Sequence, residues 1–182
     1  MKMVNERQRS KLYKEILDEY NKQDRKQSEK EGNVIKFTEK GFFVPSSIRQ
    51  VYSFFNHINL EKYRNFIDLG AGDGRIALLA SIFTKSSGIE VNEELYKKSI
   101  RNKHWLGLDA NLMEGNYMEH DISQYDVVYM YPDDVIGPEL NRKLKSELKG
   151  DLILFTNTFL PKGLEIKQIK HDWMTFCICK NI

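Results

Sequence analysis

The sequence predicts an α/β fold: a mostly parallel seven-stranded sheet, closed by a C-terminal antiparallel hairpin and preceded by N-terminal helices. Three observations carry that expectation. From Asn65 onward, short apolar runs of strand length alternate with longer segments of helical period, the pattern of strands joined by crossover helices. Near the C-terminus the alternation gives way to two consecutive strand-like runs, "LEIKQIKH" and "WMTFCICK", around a tight "HD" turn. The first sixty residues instead carry apolar side chains at helical spacing.

Residues 5–31 read as a helix, with Leu12, Tyr13, Ile16, Leu17 and Tyr20 on one face. Its second half, "NKQDRKQSEKEGN", has no apolar stripe and is expected to be a solvated end. "VIKF" is extended, and "GFFVPSS" is a turn into a second helix. Ser47 and Gln50 have the capping-box spacing there, and Ile48, Val51, Tyr52 and Phe55 supply the buried face. Then "NFIDLG" is a strand, "GRIALLASIF" a helix, "SGIEV" a strand and "NEELYKKSIRNKHWLG" a helix. "ANLMEG" and "YDVVYMY" are strands, "GPELNRKLKSELKG" is a helix and "DLILFT" a strand. There is no internal repeat and no second core. Residues 1–182 are therefore expected to form a single domain, 1–60 a helical extension and lid and 61–182 the cofactor-binding sheet core.

Composition narrows the class. A chain of 182 residues suits a domain of ordinary size, one that buries roughly 70% of its unfolded surface. Its hydrophobic content of 41% argues against global disorder. The apolar runs are too short to cross a bilayer, and "MKMVNERQRSKLYKEILDEY" lacks the apolar core of a signal peptide. The expectation is a soluble, cytoplasmic protein with no membrane role. A net charge of +2 implies no strong polyanion partner. Cys177 and Cys179, two apart in a strand, point to one face and are expected in the core rather than in a disulfide or zinc site. Trp105 and Trp173 are expected in the core as well. Of the four histidines only His120, beside Asp121, suggests a pair.

The chemistry concentrates in "FIDLGAGDGR". Gly70, Gly72 and Gly74 join the first parallel strand to a helix, where bare backbone turns sharply and approaches a ligand. Arg75 stands where a dinucleotide fingerprint needs glycine, and no Gly-Lys-Ser/Thr follows for a phosphate cradle. Asp68 and Asp73 repel a pyrophosphate and favour a cationic ligand. S-adenosylmethionine, with its ammonium, sulfonium and ribose, fits that demand. Gly70, Ala71 and Gly72 would then face it. Glu90 ends the second strand, where a carboxylate accepts ribose hydroxyls, and Val91 and Asn92 follow. Asn116 is the candidate for the adenine amino group, with Tyr117, Met118 and Val91 flanking the ring.

These residues resemble the class I, seven-strand S-adenosylmethionine-dependent methyltransferases, which are Rossmann-like. "DLGAGDGR", "IEV", "EGN" and the terminal hairpin carry the resemblance, from about Phe66 to Lys180. It implies the strand order 3-2-1-4-5-7-6 with the last strand antiparallel. "FFVPSS…FIDLGAGDGRIALLA…GIEVN" is similar to the small protein-lysine methyltransferases of archaea and mitochondria, among them enzymes acting on the adenine nucleotide translocase and the ATP synthase c-subunit. By that resemblance Val44, Pro45, Ser46 and Ser47 lie over the methionine end of the cofactor. The residues agree, since Ser46 and Ser47 open a helix and offer hydroxyls and free N–H groups to a carboxylate. The mitochondrial members carry a membrane-directed N-terminal segment. A polar helix stands here instead, so their membrane substrates do not carry over.

Methyl transfer from a sulfonium is an in-line displacement that asks a protein mainly to position and desolvate. The fourth strand ends in "YMYPDD". Base amino-methylases carry Asn/Asp-Pro-Pro-Tyr there; Tyr131-Pro132-Asp133 departs from it. Either Tyr131 lines a lysine channel and Asp133 or Asp134 attracts the ammonium, or these are a packed strand end and helix caps. Phe42 and Phe43 either form a lid or simply pack. The expected function is methylation of protein lysine, with Tyr131 and Asp133 as catalytic candidates. The alternatives are RNA or small-molecule methylation on the same fold, or a catalytically silent cofactor-binding subunit. Nucleic acid is the weaker partner, because the aspartates repel phosphates.

Overall fold

The computed structural model describes residues 5–38 and 41–181. Helix α1 spans Glu6–Glu31, capped by the Asn5 side chain at its start and by left-handed Gly32 at its end. Ile16, Leu17 and Tyr20 are buried, while Leu12 and Tyr13 pack at the margin. Its second half is not merely wet: Gln23 and Asp24 are half-buried and bonded to other elements. Strand β1 (Lys36–Thr38) overlaps the extended "VIKF", and β2 (Gly41–Phe43) pairs with it antiparallel where "GFFVPSS" is expected to turn. Helix α2 (Ile48–His57) follows, capped by Ser47. It buries Phe54 beside Ile48, Val51 and Phe55, and half-buried Tyr52 stacks on Tyr13.

The main sheet begins with β3 (Asn65–Leu69), followed by α3 (Arg75–Ala80), β4 (Lys85–Glu90), α4 (Glu93–Leu106) and β5 (Ala110–Glu114). Then come β6 (Val127–Met130), α5 (Pro138–Glu147), β7 (Asp151–Leu154), β8 (Glu165–His171) and β9 (Met174–Lys180). The sheet order is β5-β4-β3-β6-β7-β9-β8, with β9 antiparallel to both neighbours and the remaining pairs parallel. Counted within this sheet, that is the order 3-2-1-4-5-7-6 implied by the resemblance. Alternate residues of each central strand face opposite layers. Phe66, Val127, Tyr129 and Ile153 join α1, α2 and α3 on one side. Ile67, Val128, Leu152, Cys177 and Cys179 join α5 on the other. Both cysteines are free and buried, as their shared face predicts.

Several expectations shift. Helix α3 is shorter than "GRIALLASIF": after Ala80 the chain tightens, with Phe83 N donating to Ala80 O. Strand β4 starts early, at polar Lys85-Ser86-Ser87. Those serines are buried, and the Ser86 hydroxyl donates to Ala77 O, which removes the desolvation penalty that argues against such a strand. The β8–β9 turn is centred on Asp172-Trp173, one residue later than "HD", because His171 pairs with Met174. That register puts Trp173 at a loop tip, 95% exposed, and Trp105 is exposed on α4; neither belongs to the core. His120 and Asp121 do not pair. His120 bonds the Tyr125 hydroxyl, and Asp121 accepts from the amide and hydroxyl of Ser123. Among the described residues no helix is long and apolar enough to cross a membrane, and no cluster of His, Cys, Asp or Glu is arranged to hold a metal ion.

Candidate functional site

Between β3 and β6 the order of strands reverses, and a cleft of about 580 Å³ opens at their carboxyl ends, the place where open parallel sheets receive ligands. The glycine loop forms its floor. Gly70, Gly72 and Gly74 all have positive φ, at 75°, 55° and 82°. A Cβ on Gly70 would meet nothing within 4 Å, so that backbone lies bare to the cleft. Gly72 differs. A Cβ there would overlap the Phe43 ring, with Cδ2 at 2.8 Å. The space that Gly72 clears is taken by Phe43, not left for a ligand, and Phe43 itself lines the cleft.

Two carboxylates define the electrostatics. Glu90, buried at the end of β4, accepts from Gly72 N through Oε2 and from Asn92 N through Oε1, both at 2.8 Å. It pins the loop to the neighbouring strand, and each oxygen keeps a free lone pair. Asp68, 3% exposed, also lines the cleft. Burial raises its proton affinity well above the usual carboxylate range, and the negative charges of Glu90 and Asp73 add to the effect. Among the described residues neither Asp68 nor Glu90 is in an ion pair. These acceptors therefore suit a ligand that brings positive charge and hydroxyl donors.

Asp73 does something else, which corrects its assignment to the ligand. Its carboxylate is fully buried and accepts from Arg75 Nε and Nη2 at 3.0 and 2.9 Å and from Lys98 Nζ at 3.1 Å. Burial opposes its ionisation, yet the two cations outweigh that and hold its carboxyl below the usual value. Arg75 is also gripped by Asp24 of α1, Nη1 to Oδ2 at 3.0 Å and Nη2 to Oδ1 at 2.8 Å. The Tyr20 hydroxyl and the Asn102 amide both donate to Asp73 O. Thus α1 and α4 brace the glycine loop from behind. Arg75 lies inside the motif, yet its partner Asp24 went unseen. The available signal was its place four residues after Tyr20, on the stripe that begins at Ile16.

The other candidates divide. Ser46, Ala71, Val91 and Tyr117 line the cleft. Ser46 is buried, and the Tyr129 hydroxyl donates to its Oγ at 3.4 Å. Burial raises the Tyr117 phenol, with Asp133 and Glu90 adding. Ser47, Asn92 and Asn116 do not line the cleft. Each is a cap, accepting from Gln50 N, Leu95 N and Met118 N, and Asn116 is exposed. Short polar side chains just before a helical turn satisfy orphan N–H groups, and that local demand took them. On the outer wall Tyr131 packs edge-on against Phe155, with centroids 5.0 Å apart. Asp133 Oδ2 accepts from Phe42 N at 2.8 Å, tying the β1–β2 hairpin to the loop after β6. Asp134, also on the wall, accepts from Val135 N. Thr156, Thr158 and Phe159 complete the far side and carried no sequence signal.

With this geometry in view, the comparisons with known proteins are specific. The ANTKMT methyltransferase domain matches residues 68–168. A protein-lysine N-methyltransferase of Saccharolobus islandicus is 33% identical over 107 residues, covering 56% of this chain and 66% of that protein. An ATP synthase C-subunit lysine N-methyltransferase of Caenorhabditis elegans is 29% identical over 131 residues, covering 66% and 68%. The chain thus spans about two thirds of the length of these curated relatives. Among solved structures, an RNA methyltransferase of Salinibacter ruber in complex with S-adenosyl-L-homocysteine superposes with a TM-score of 0.58 at 24% identity, over 76% of this chain and 94% of that one. That last likeness is one of fold.

Proposed function

The chain belongs to the ANTKMT methyltransferase domain family, and from that premise we propose that it transfers a methyl group from S-adenosylmethionine to lysine side chains of protein. The observation that carries the reading is the pair of buried carboxylates, Asp68 and Glu90, facing a cleft over bare Gly70 with no cation paired to either among the described residues. A pyrophosphate would be repelled there. An ammonium relieves the charge on Asp68, and ribose hydroxyls find the spare lone pairs of Glu90. The start of α2, with Ser46, offers donors to a carboxylate. Val91, Ala71 and Tyr117 supply flat or small walls for an adenine ring.

When bound, S-adenosylmethionine would supply an electrophilic methyl that a neutral amine attacks in line, the C–S bond breaking so that the thioether leaves. The chain's own residues prepare that amine. Tyr131, Phe42 and Phe43 line the mouth, where their rings would displace water around an entering lysine and so favour its neutral form. Asp133 and Asp134 attract the ammonium form before it enters. The names of the two curated relatives, both lysine methyltransferases, support the amine over a base.

The test is transfer of tritiated methyl groups into a cell extract that has been depleted of small molecules. Label that protease releases and ribonuclease leaves, recovered as methyl-lysine on hydrolysis, supports the proposal. Label lost to ribonuclease, or recovered on another amino acid, refutes it.

A further inference from the structure

The surface around the mouth of the cleft is unusual in composition. Apart from Trp105 on α4 and Trp173 at the β8–β9 tip, most exposed large apolar side chains of the described residues gather there. Phe42, Val44, Val91, Tyr131 and Val135 line the cleft and are still solvent-exposed, Val135 by 69%. Phe37, 79% exposed, packs edge-on against Phe42 with ring centroids 5.0 Å apart. Exposed apolar side chains concentrated at the mouth of a cleft mark a binding surface. This rim is held in place. Asp133 Oδ2 takes the Phe42 amide, and Lys36 of the same hairpin forms a 2.9 Å ion pair with Glu94 of α4.

We propose that this rim reads the sequence around the target lysine: the preferred substrate is a protein segment whose lysine is flanked by apolar side chains. The inference rests on lysine methylation as proposed above. Charge selects the occupant. Asp133 and Asp134 line the same cleft as Phe42 and Val135, and Asp133 is bonded to the Phe42 amide, so they attract a lysine while its neighbours bury against Phe37, Phe42 and Val135. A second copy of this chain would bring the same aspartates face to face, and an anionic lipid surface would meet them with like charge. Phe37 lies beyond the cleft lining, so its exposed ring serves a bound polymer rather than the cofactor.

Two peptides of equal length and charge test this, one with leucine on both sides of a single lysine and one with serine. Methyl incorporation gives kcat/KM, calorimetry gives the S-adenosylmethionine Kd, and both are measured for wild type, Phe37→Ser and Val135→Ser. Both residues are exposed, so folding is not at stake. Wild type should favour the leucine peptide by about tenfold, the scale of a side chain or two moved from water to an apolar wall. Each variant should lose most of that preference, with cofactor Kd unchanged. Equal wild-type rates on the two peptides overturn the rim while leaving lysine methylation standing. So do variants that retain the full preference. No transfer to either peptide, with the cofactor bound, removes both readings. Wild-type dimers that Phe37→Ser turns into monomers, with peptide preference unaltered, reassign the rim to self-association and overturn the proposal.

Discussion

Replacing Asp24 with asparagine tests the brace behind the glycine loop. Asp24 makes two charge-assisted hydrogen bonds to Arg75, whose side chain is 5% exposed, while Asp73, the other partner of that guanidinium, is fully buried. Asp24, Asp73, Arg75 and Lys98 sum to zero charge. An asparagine in place of Asp24 would keep one acceptor, lose one bond and leave an uncompensated positive charge. Hydrogen bonds to charged groups contribute roughly 1.5–3 kcal/mol each. The Asp24 side chain is 29% exposed, so water recovers part of the loss. The expected destabilisation is about 1–2 kcal/mol, read as a lower urea midpoint at constant slope. For a chain this long it corresponds to a fall in Tm of about 2–8 °C. Removing the cation instead, as in Arg75→Met, leaves Asp73 buried with Lys98 alone and should be worse, about 3–5 kcal/mol. Because Asp73 sits inside the loop, Asp24→Asn should also weaken S-adenosylmethionine binding several-fold by calorimetry. A urea midpoint within error of wild type would refute the brace. A loss of stability with unchanged cofactor affinity would confine it to docking α1.

Gly72→Ala strains a φ of 55° and overlaps Phe43, so it should cost about 1–2 kcal/mol for the backbone alone and more for the displaced ring. Adding Phe43→Ala should recover the second part, and strict additivity in urea melts would show that the ring is not what Gly72 makes room for. Asp68 predicts a pH signature. Its folded proton affinity is raised above the ordinary 3.8 by burial first and then by Glu90 and Asp73, so the folded state holds the proton longer than the unfolded one. Stability from this group is present below about 3.8 and is lost as pH rises through the raised folded value. Asp68→Asn should therefore stabilise the ligand-free protein at neutral pH and not at low pH, and a cationic cofactor should bind wild type more tightly as pH rises. Equal melting curves for the two proteins across that range would contradict the argument. Tyr131→Ala should sharply reduce methyl transfer while leaving cofactor affinity near wild type, with a stability loss of about 0.5–1.5 kcal/mol from the Phe155 contact; equal loss of transfer and cofactor binding would move Tyr131 out of the substrate channel.

What the amino-acid sequence determined by itself is the part written in local period and local chemistry. Alternating apolar runs after Asn65 specify strands and helices because each segment's own pattern decides which face it buries. The motif around Asp68, Gly70 and Glu90 was legible because glycines and carboxylates at strand ends have few other uses in that arrangement. Tertiary structure decided everything that depends on which distant chain arrives. Asp24 meets Arg75 across 51 positions, and Phe42 meets Asp133 across 91. Phe43 claims the space over Gly72, and Arg75 and Lys98 claim the carboxylate of Asp73, so neither feature is free for a ligand as the motif alone suggests. Trp173 was read inward from its apolar bulk, but a one-residue shift in the β8–β9 register put it at the tip. Asn92 and Asn116 carry donors and acceptors fit for an adenine or for a helix end, and only the fold shows that the helix end is nearer. A side chain's chemistry states what it can bind; which partner it receives is set by packing between segments far apart in the chain.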